Sequence, residues 1–386
     1  IIMFCMKNID LNNIKRIVFK FGTNVLRNDE GYISLARIYS FIEAIAKYKK
    51  MGKEVLVVTS GAVGLGAKKI NATDLSEVSL KQACAAIGQS QLMSIYEDGF
   101  SKFDIVTAQI LLTEEDFSNR RRYLNLRSTL DTLLKYNVIP IINENDTVSS
   151  DELKLLYDVT QISFSDNDKL SALVASELDA DLLIILSDIN GLYDDNPKTN
   201  PNANFIHEVF EVTKEIESLG LDASKGGRGG MKTKLQAAKI VTRSGCGLII
   251  ANGKTPNILN NIFNTKEKTI FYPVEENNEL NTKKRWIAYA TTIIGKLVVN
   301  AGAKKAIIEK ESSLLPIGVT KVVNNFKKGD IVSIIDEDGE EFARGIINYN
   351  SEDTNKIIGK HSDSILEILG YKNYDALITR DYIVLL

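Results

Sequence analysis

A chain of 386 residues is longer than one average domain, so two or three are expected, and 44% apolar with 25% charged residues supplies an ordinary globular core. The net charge of −3 carries no basic excess that would draw the whole chain to nucleic acid. Three widely spaced cysteines (Cys5, Cys84, Cys246) and two histidines (His207, His361) argue against a disulfide framework, a zinc site and histidine-based acid–base chemistry.

In chain order, the apolar run Ile1–Met6 is too short for a signal peptide or a membrane span, Met6 is a candidate start, and the cytoplasm is the expected compartment. Ile17–Phe19 reads as a strand ending in the loop Lys20-Phe21-Gly22-Thr23-Asn24. Ser34–Lys50 has helical spacing, with Leu35, Ile38, Ile42 and Ile45 on one stripe. Val55–Val58 is a strand followed by Thr59-Ser60-Gly61-Ala62 and a glycine-rich continuation to Gly66. A helix over Leu80–Gly99, a strand near Asp104–Val106 and a helix over Asn119–Tyr136 come next. The strand Val138–Ile142 runs into Asn143-Glu144-Asn145-Asp146, and Asp166-Asn167-Asp168 opens a helix over Lys169–Leu178. Leu182–Leu186 is a strand ending in Ser187-Asp188-Ile189-Asn190-Gly191. Gly226–Lys234 is a glycine-rich turn entering a helix over Met231–Ser244, and Leu248–Ala251 is a further strand.

This alternation predicts an α/β fold, an open mostly parallel sheet sandwiched by helices. After about Lys254 the texture changes. Asn257–Phe271 is polar, Asn277–Arg285 resembles a connection, and the later strands are short, with Asp338-Gly339 as a hairpin turn. The expected division is therefore an extension over 1–14, an α/β domain over 15–271, a linker over 272–293 and a small mainly β domain over 294–386. That last segment holds 12 Lys and Arg against 14 Asp and Glu, a net −2.

The loops carry the chemistry. In an open α/β sheet, ligands sit outside the carboxyl ends of the strands. Small residues there let backbone N–H groups approach anionic oxygens, and Lys20 and Lys234 add positive charge. Together they suggest an enzyme that handles phosphates and a carboxylate. Gly226–Lys234 lacks Walker A spacing, so it reads either as a phosphate-binding turn or as a surface loop. Ser60–Gly66 lacks a dinucleotide fingerprint and reads equally as close packing. Asp166-Asn167-Asp168 can cap a helix, although a cap explains only one of the three. Arg120-Arg121-Arg122 reads as a solvated helix face, with a subunit contact or anion site as the alternative.

Lys20-Phe-Gly-Thr-Asn, Thr59-Ser-Gly-Ala-Val, Asn143-Glu-Asn-Asp, Asp166-Asn-Asp-Lys-Leu-Ser-Ala-Leu and Gly229-Gly-Met-Lys-Thr-Lys-Leu-Gln-Ala-Ala resemble the amino-acid-kinase family. More narrowly, with Ala85-Ala-Ile-Gly-Gln-Ser-Gln-Leu, Leu111-Leu-Thr and Lys284-Arg-Trp-Ile, they resemble the branch acting on the side-chain carboxylate of L-glutamate. The tail, with Gly302-Ala, Ser312-Ser-Leu-Leu-Pro and His361-Ser, is similar to a PUA domain. The resemblance covers nearly the whole chain beyond about Ile14, and the ordered combination of motifs is more specific than any one of them.

The resemblance implies transfer of the ATP γ-phosphoryl group to glutamate, with ATP as co-substrate and Mg²⁺ bridging phosphate oxygens. It implies Lys20 and Lys234 as charge-stabilising cations and Asp168 as the carboxylate that organises them. Ser60, Asp146 and Asn167 correspond to glutamate-binding positions. Lys20, Gly22, Ser187, Asp188, Arg228, Gly229, Gly230, Met231, Lys232, Thr233 and Lys234 correspond to nucleotide-binding positions, with Gly22 and Gly61 as backbone donors around the phosphates. No protein metal ligand is expected. The resemblance further implies a homo-oligomer (dimer or tetramer) and proline as feedback inhibitor at the glutamate site. Departures from the family pattern are Ser165 where glycine is common, Arg228 where threonine is frequent, and a long acidic Val148–Ile162. Two alternatives stand beside this reading. One is a related kinase for N-acetylglutamate, aspartate, carbamate or UMP; the other is an RNA-binding protein, against which the −2 balance of the tail weighs.

Overall fold

Aliphatic runs four to six residues long become buried parallel strands, because helices cover both faces and leave no side for water. Ile17–Phe19, Val55–Val58 and Leu182–Leu186 are fully buried in this way. The computed structural model describes residues 9–148, 167–197, 199–220, 230–274, 282–289 and 293–386, and the chain divides into two units, Ile1–Glu279 and Leu280–Leu386.

In the first unit the strands are β1 (Arg16–Phe21), β2 (Glu54–Val58), β3 (Thr107–Leu112), β4 (Ile139–Glu144), β5 (Leu182–Ser187), β6 (Leu192–Tyr193), β7 (Phe205–Ile206), β8 (Glu208–Val209), β9 (Gly247–Asn252) and β10 (Lys268–Phe271). Eight of them form one sheet in the order β3-β4-β2-β1-β5-β9-β10-β8, and β6 and β7 make a small separate antiparallel pair. All neighbours in the large sheet are parallel except β9 and β10. The chain moves from β1 to β2 on one side and places β5 on the other. That reversal opens a crevice outside the carboxyl ends of β1 and β5, where open α/β sheets bind ligands.

The helices are α1 (Thr23–Leu26), α2 (Leu35–Lys50), α3 (Ala62–Lys69), α4 (Val78–Ser101), α5 (Glu114–Ser118), α6 (Arg120–Lys135), α7 (Asn167–Glu177), α8 (Lys214–Ser218), α9 (Met231–Thr242) and α10 (Ile258–Asn261). On α2 the buried stripe is Ile38, Phe41, Ile42, Ile45 and Tyr48, while Leu35, expected on that stripe, is 51% exposed at the first turn. The strand expected near Asp104–Val106 begins instead at Thr107. Asp104 adopts a left-handed φ of 57° and the Ile105 N–H donates back to the Phe100 carbonyl at 3.2 Å, so these residues end α4. The polar stretch Asn257–Phe271 contains α10 and β10.

Ser60–Gly66 is mostly helix rather than loop. Gly61 takes a φ of 107°, which a side chain disfavours, and turns the chain from β2 into α3. Helix α3 then crosses α4 closely. A methyl group at Gly66 would overlap the Cys84 carbonyl, and one at Gly88 would overlap that of Ala62. Here the glycines serve helix–helix contact.

The second unit carries β11 (Gly295–Val299), β12 (Val319–Val323), β13 (Ile331–Ile335), β14 (Glu341–Ile346) and β15 (Ile383–Leu385) in the order β12-β11-β13-β14-β15. The Asp338-Gly339 turn joins β13 to β14, closed by Asp336 N–H to Glu340 O at 3.1 Å. Within the stretch read as linker, α11 (Thr282–Ala288) packs on β14 and β15, burying Trp286 and Ile287. Among the described residues no helix is long and apolar enough to cross a membrane.

Candidate active site

The strand ends at the reversal point converge on a cavity of about 330 Å³, lined among others by Lys20, Gly22, Arg27, Ser60, Asn143, Asp146, Asn167, Asp188 and Lys234. Lys20 is the fifth residue of β1, in register with Val58 of β2 and Ile185 of β5, so its main chain is fixed on both sides.

Two subsites differ in character. In the first, Asp168 is fully buried at the start of α7 and receives both lysines: Lys20 Nζ bonds Oδ1, and Lys234 Nζ, from α9, bonds Oδ2 at 3.0 Å. The Thr233 hydroxyl lies 3.2 Å from the same Oδ2. Both lysines are 3% exposed. Asp168 thus gathers two buried ammonium groups where little water screens them, and both lysines line the cavity, which suits them to an anion held there. Asp168 is therefore an ion-pair centre; the sequence had left helix capping open for this motif.

The second subsite is a relay of amides. Asn167 Nδ2 faces the Thr59 carbonyl at 2.5 Å, Ser60 Oγ at 2.9 Å and Asn143 Oδ1 at 3.0 Å. Asn143 Nδ2 in turn donates to Gln89 Oε1 at 2.8 Å. The Thr59 carbonyl can only accept, so it fixes which end of Asn167 is nitrogen, and the polarity passes to Asn143 and Gln89. Thr59 Oγ1 lies 2.9 Å from the Tyr96 hydroxyl, whose ionisation burial makes harder. Asp146 and Glu144 line the same cavity from the end of β4.

Across the β1–β5 seam, Asn24 Nδ2 donates to Asp188 Oδ2 at 3.1 Å and the Gly22 N–H donates to the Leu186 carbonyl at 3.2 Å. The Gly22 N–H, expected from the sequence to face phosphate, is thus committed to β5. Burial opposes ionisation of Asp188. The Asn24 amide, its own backbone N–H, the Ser187 hydroxyl and the Lys234 charge outweigh that and hold its carboxyl below the usual carboxylate range.

Residues 15–252 match the amino acid kinase family and residues 295–369 the PUA domain. The chain belongs to the amino acid kinase family. A glutamate 5-kinase of Thermoanaerobacter sp. (strain X514) is 46% identical over 374 residues, covering 96% of this chain and 98% of that protein. A glutamate 5-kinase of Geobacter sp. (strain M21) is 44% identical over 379 residues, covering 97% and 99%. The solved UMP kinase of Ureaplasma parvum is similar over 67% of this chain and 99% of its own, at 17% identity and a TM-score of 0.46.

In this amino acid kinase the cavity gathers Lys20, Lys234, Ser60, Asn167, Asp146, Gly22, Ser187 and Asp188 of the sequence candidates, with Asp168 buried behind it and bonded to both lysines. Gly230, Met231, Lys232 and Thr233 open α9 beside it, with Lys232 exposed, while Arg228 and Gly229 lie outside the described residues, as do Ser165 and most of Val148–Ile162. Arg120–Arg122 form an exposed first turn of α6, where Arg122 pairs with Glu115 at 3.2 Å. Asn143, Gln89, Thr59, Asn24 and Arg27 were not singled out as site residues. Asn143 and Gln89 sit inside quoted motifs, but nothing in their spacing tells that strand β4 and helix α4 place them in one relay.

Proposed function

We propose that the chain transfers the γ-phosphoryl group of MgATP to the side-chain carboxylate of L-glutamate, giving L-glutamyl 5-phosphate, the first step of proline synthesis. The observation that carries this reading is the buried Lys20–Asp168–Lys234 cluster at the reversal point of the sheet, in a chain similar over its length to glutamate 5-kinases.

The chemistry asks for cations and positioning. A side-chain carboxylate, with an ordinary pKa of about 4.3, is already ionised at neutral pH, so it needs no general base. One carboxylate oxygen attacks the γ-phosphorus, the bond from phosphorus to the β–γ bridging oxygen breaks, and ADP leaves with the electron pair. No proton moves. The obstacle is repulsion between two anions, which Lys20 and Lys234 reduce at the transferring group while Asp168 holds both ammonium groups in place. Mg²⁺ arrives with the nucleotide and disperses charge on its phosphate oxygens. Ser187, Asp188 and residues 228–234 are assigned to the nucleotide, with Thr233 coupling that segment to Asp168.

Ser60, Asn167 and Asp146 are assigned to glutamate. Ser60 Oγ accepts from Asn167, which directs its own proton toward the cavity and a substrate carboxylate. The Asn167 nitrogen is committed to protein acceptors, so its Oδ1, with Asp146, is assigned to the substrate ammonium. The same reading carries proline inhibition at the glutamate site and assembly as a dimer or tetramer, which a proline titration and analytical ultracentrifugation check.

The deciding assay incubates the protein with MgATP, L-glutamate and hydroxylamine, which traps an acyl phosphate as hydroxamate. Hydroxamate and ADP with glutamate are expected. ADP release only with N-acetylglutamate, aspartate, carbamate or UMP would move the acceptor assignment, and none with any acceptor would overturn the kinase reading.

A further inference from the structure

Three cations line the cavity, and the Lys20–Asp168–Lys234 cluster accounts for two of them. The third is Arg27, at the end of α1. Among the described residues its guanidinium has no hydrogen-bond or ion-pair partner, while its carbonyl accepts from Arg37 at 2.9 Å and anchors the backbone. The side chain is half-buried and lies across the first turn of α3, where a methyl group at Gly64 would overlap the guanidinium. The absence of a side chain at Gly64 leaves the space that Arg27 occupies. Its neighbours along the cavity wall, Ser60 to Gly64, belong to the amide-relay side.

We propose that Arg27 is a specificity residue that pairs with the α-carboxylate of the acceptor amino acid. This deepens the glutamate reading and rests on it. Glutamate brings two carboxylates into one cavity, and the reacting one faces the two-lysine cluster. The other needs its own counter-charge, and the planar guanidinium fork matches a carboxylate with two parallel hydrogen bonds. With Asp146 and Asn167 Oδ1 as ammonium acceptors, the cavity then holds complementary groups for all three charges of the substrate.

The test compares L-glutamate with 4-aminobutyrate, which keeps the reacting carboxylate and the amine but lacks the α-carboxylate. Hydroxamate formation is followed for the full-length enzyme, Arg27→Gln, Arg27→Lys and Gly64→Ala, with melting temperatures recorded. Wild type should prefer glutamate strongly. Arg27→Gln should raise the glutamate KM by about tenfold to a hundredfold, the range for a lost hydrogen bond to a charged group. It should leave the constants for 4-aminobutyrate and the KM for ATP nearly unchanged, so that the preference collapses. Arg27→Lys should recover part of it, and Gly64→Ala, which displaces the guanidinium, should lose part of it. An unchanged glutamate-to-aminobutyrate ratio in folded variants overturns the assignment, and a rise confined to the ATP KM assigns Arg27 to the nucleotide instead. Failure of the wild type to use glutamate would strike the underlying function.

Discussion

Both units of this chain contain a Lys–Asp contact, and the two are opposite in purpose. Lys304 and Asp336 meet at 2.6 Å in the second unit, where Asp336 also accepts from the backbone N–H groups of Asp338 at 3.1 Å and Glu340 at 2.8 Å. Water reaches the lysine there, Glu340 and Asp338 also act on its charge, and the Asp336 carboxylate shapes its own turn. In the first unit Lys20 and Lys234 share Asp168, all three are buried, and both lysines line a cavity. Ion pairing alone does not mark a catalytic site. Burial beside an open space sets the first cluster apart, because unscreened charge acts on whatever enters.

The largest effects should come from breaking that buried cluster. Asp168→Ala leaves two buried ammonium groups without their shared counter-ion, so a stability loss of about 3–5 kcal/mol is expected in urea titrations, with kcat lower by at least about a hundredfold. Lys20→Ala and Lys234→Ala should each lower kcat by about 10²–10³, and the double variant by less than the product, since one cluster acts as a unit. Near-normal turnover in all three variants would remove the catalytic assignment.

Smaller effects sharpen the contrast. Asp146→Ala should raise the glutamate KM by about tenfold or more while kcat at saturation changes little, as for a lost partner of a charged group. Gln89→Leu should deprive the Asn143 amide of its acceptor, costing about 1–3 kcal/mol and weakening glutamate several-fold without altering the ATP KM; equal shifts in both constants would mean a general loosening.

The mildest change belongs to the second unit. Lys304 draws the Asp336 carboxyl below its usual range, chiefly by hydrogen bonding and then with help from the Glu340 N–H, while Asp336 raises Lys304. A depressed carboxyl stabilises the fold above the ordinary carboxylate range and loses that contribution as pH falls through its folded value. A raised lysine contributes below its ordinary value and loses that as pH climbs. Asp336→Asn should therefore flatten the acid limb of a Tm-against-pH curve below about pH 4, with hydroxamate formation unaffected at neutral pH. A matching loss of activity would tie that turn to catalysis.

Much of this was legible before any coordinates. Buried β5 is aliphatic from Leu182 to Leu186 and β1 carries Ile17, Val18 and Phe19, which composition identifies, and the strand ends carry Lys20, Ser187 and, one residue on, Asp188. The errors have local causes. The glycines of Ser60–Gly66 suggest a helix packed closely on a strand, whereas Gly66 and Gly88 let the helices α3 and α4 touch, a contact that offsets the low helix propensity of glycine. The strand after α4 starts at Thr107 rather than near Asp104 because Asp104 turns left-handed and the Ile105 N–H donates back to the Phe100 carbonyl, while Ile105 and Val106 look like strand by residue type. Helix α11 was taken for linker because seven residues are too few for a convincing period.

By itself the sequence determined the alternating elements, the family, and most of the polar residues that line the cavity, because those depend on local pattern and on ordered motifs. Tertiary structure alone decided that one carboxylate would serve two lysines from β1 and α9, that a backbone carbonyl would orient Asn167, and that Arg27 would lie over Gly64 at the cavity wall. Each joins segments far apart in the chain, and only the closing of the sheet brings their atoms within hydrogen-bond reach.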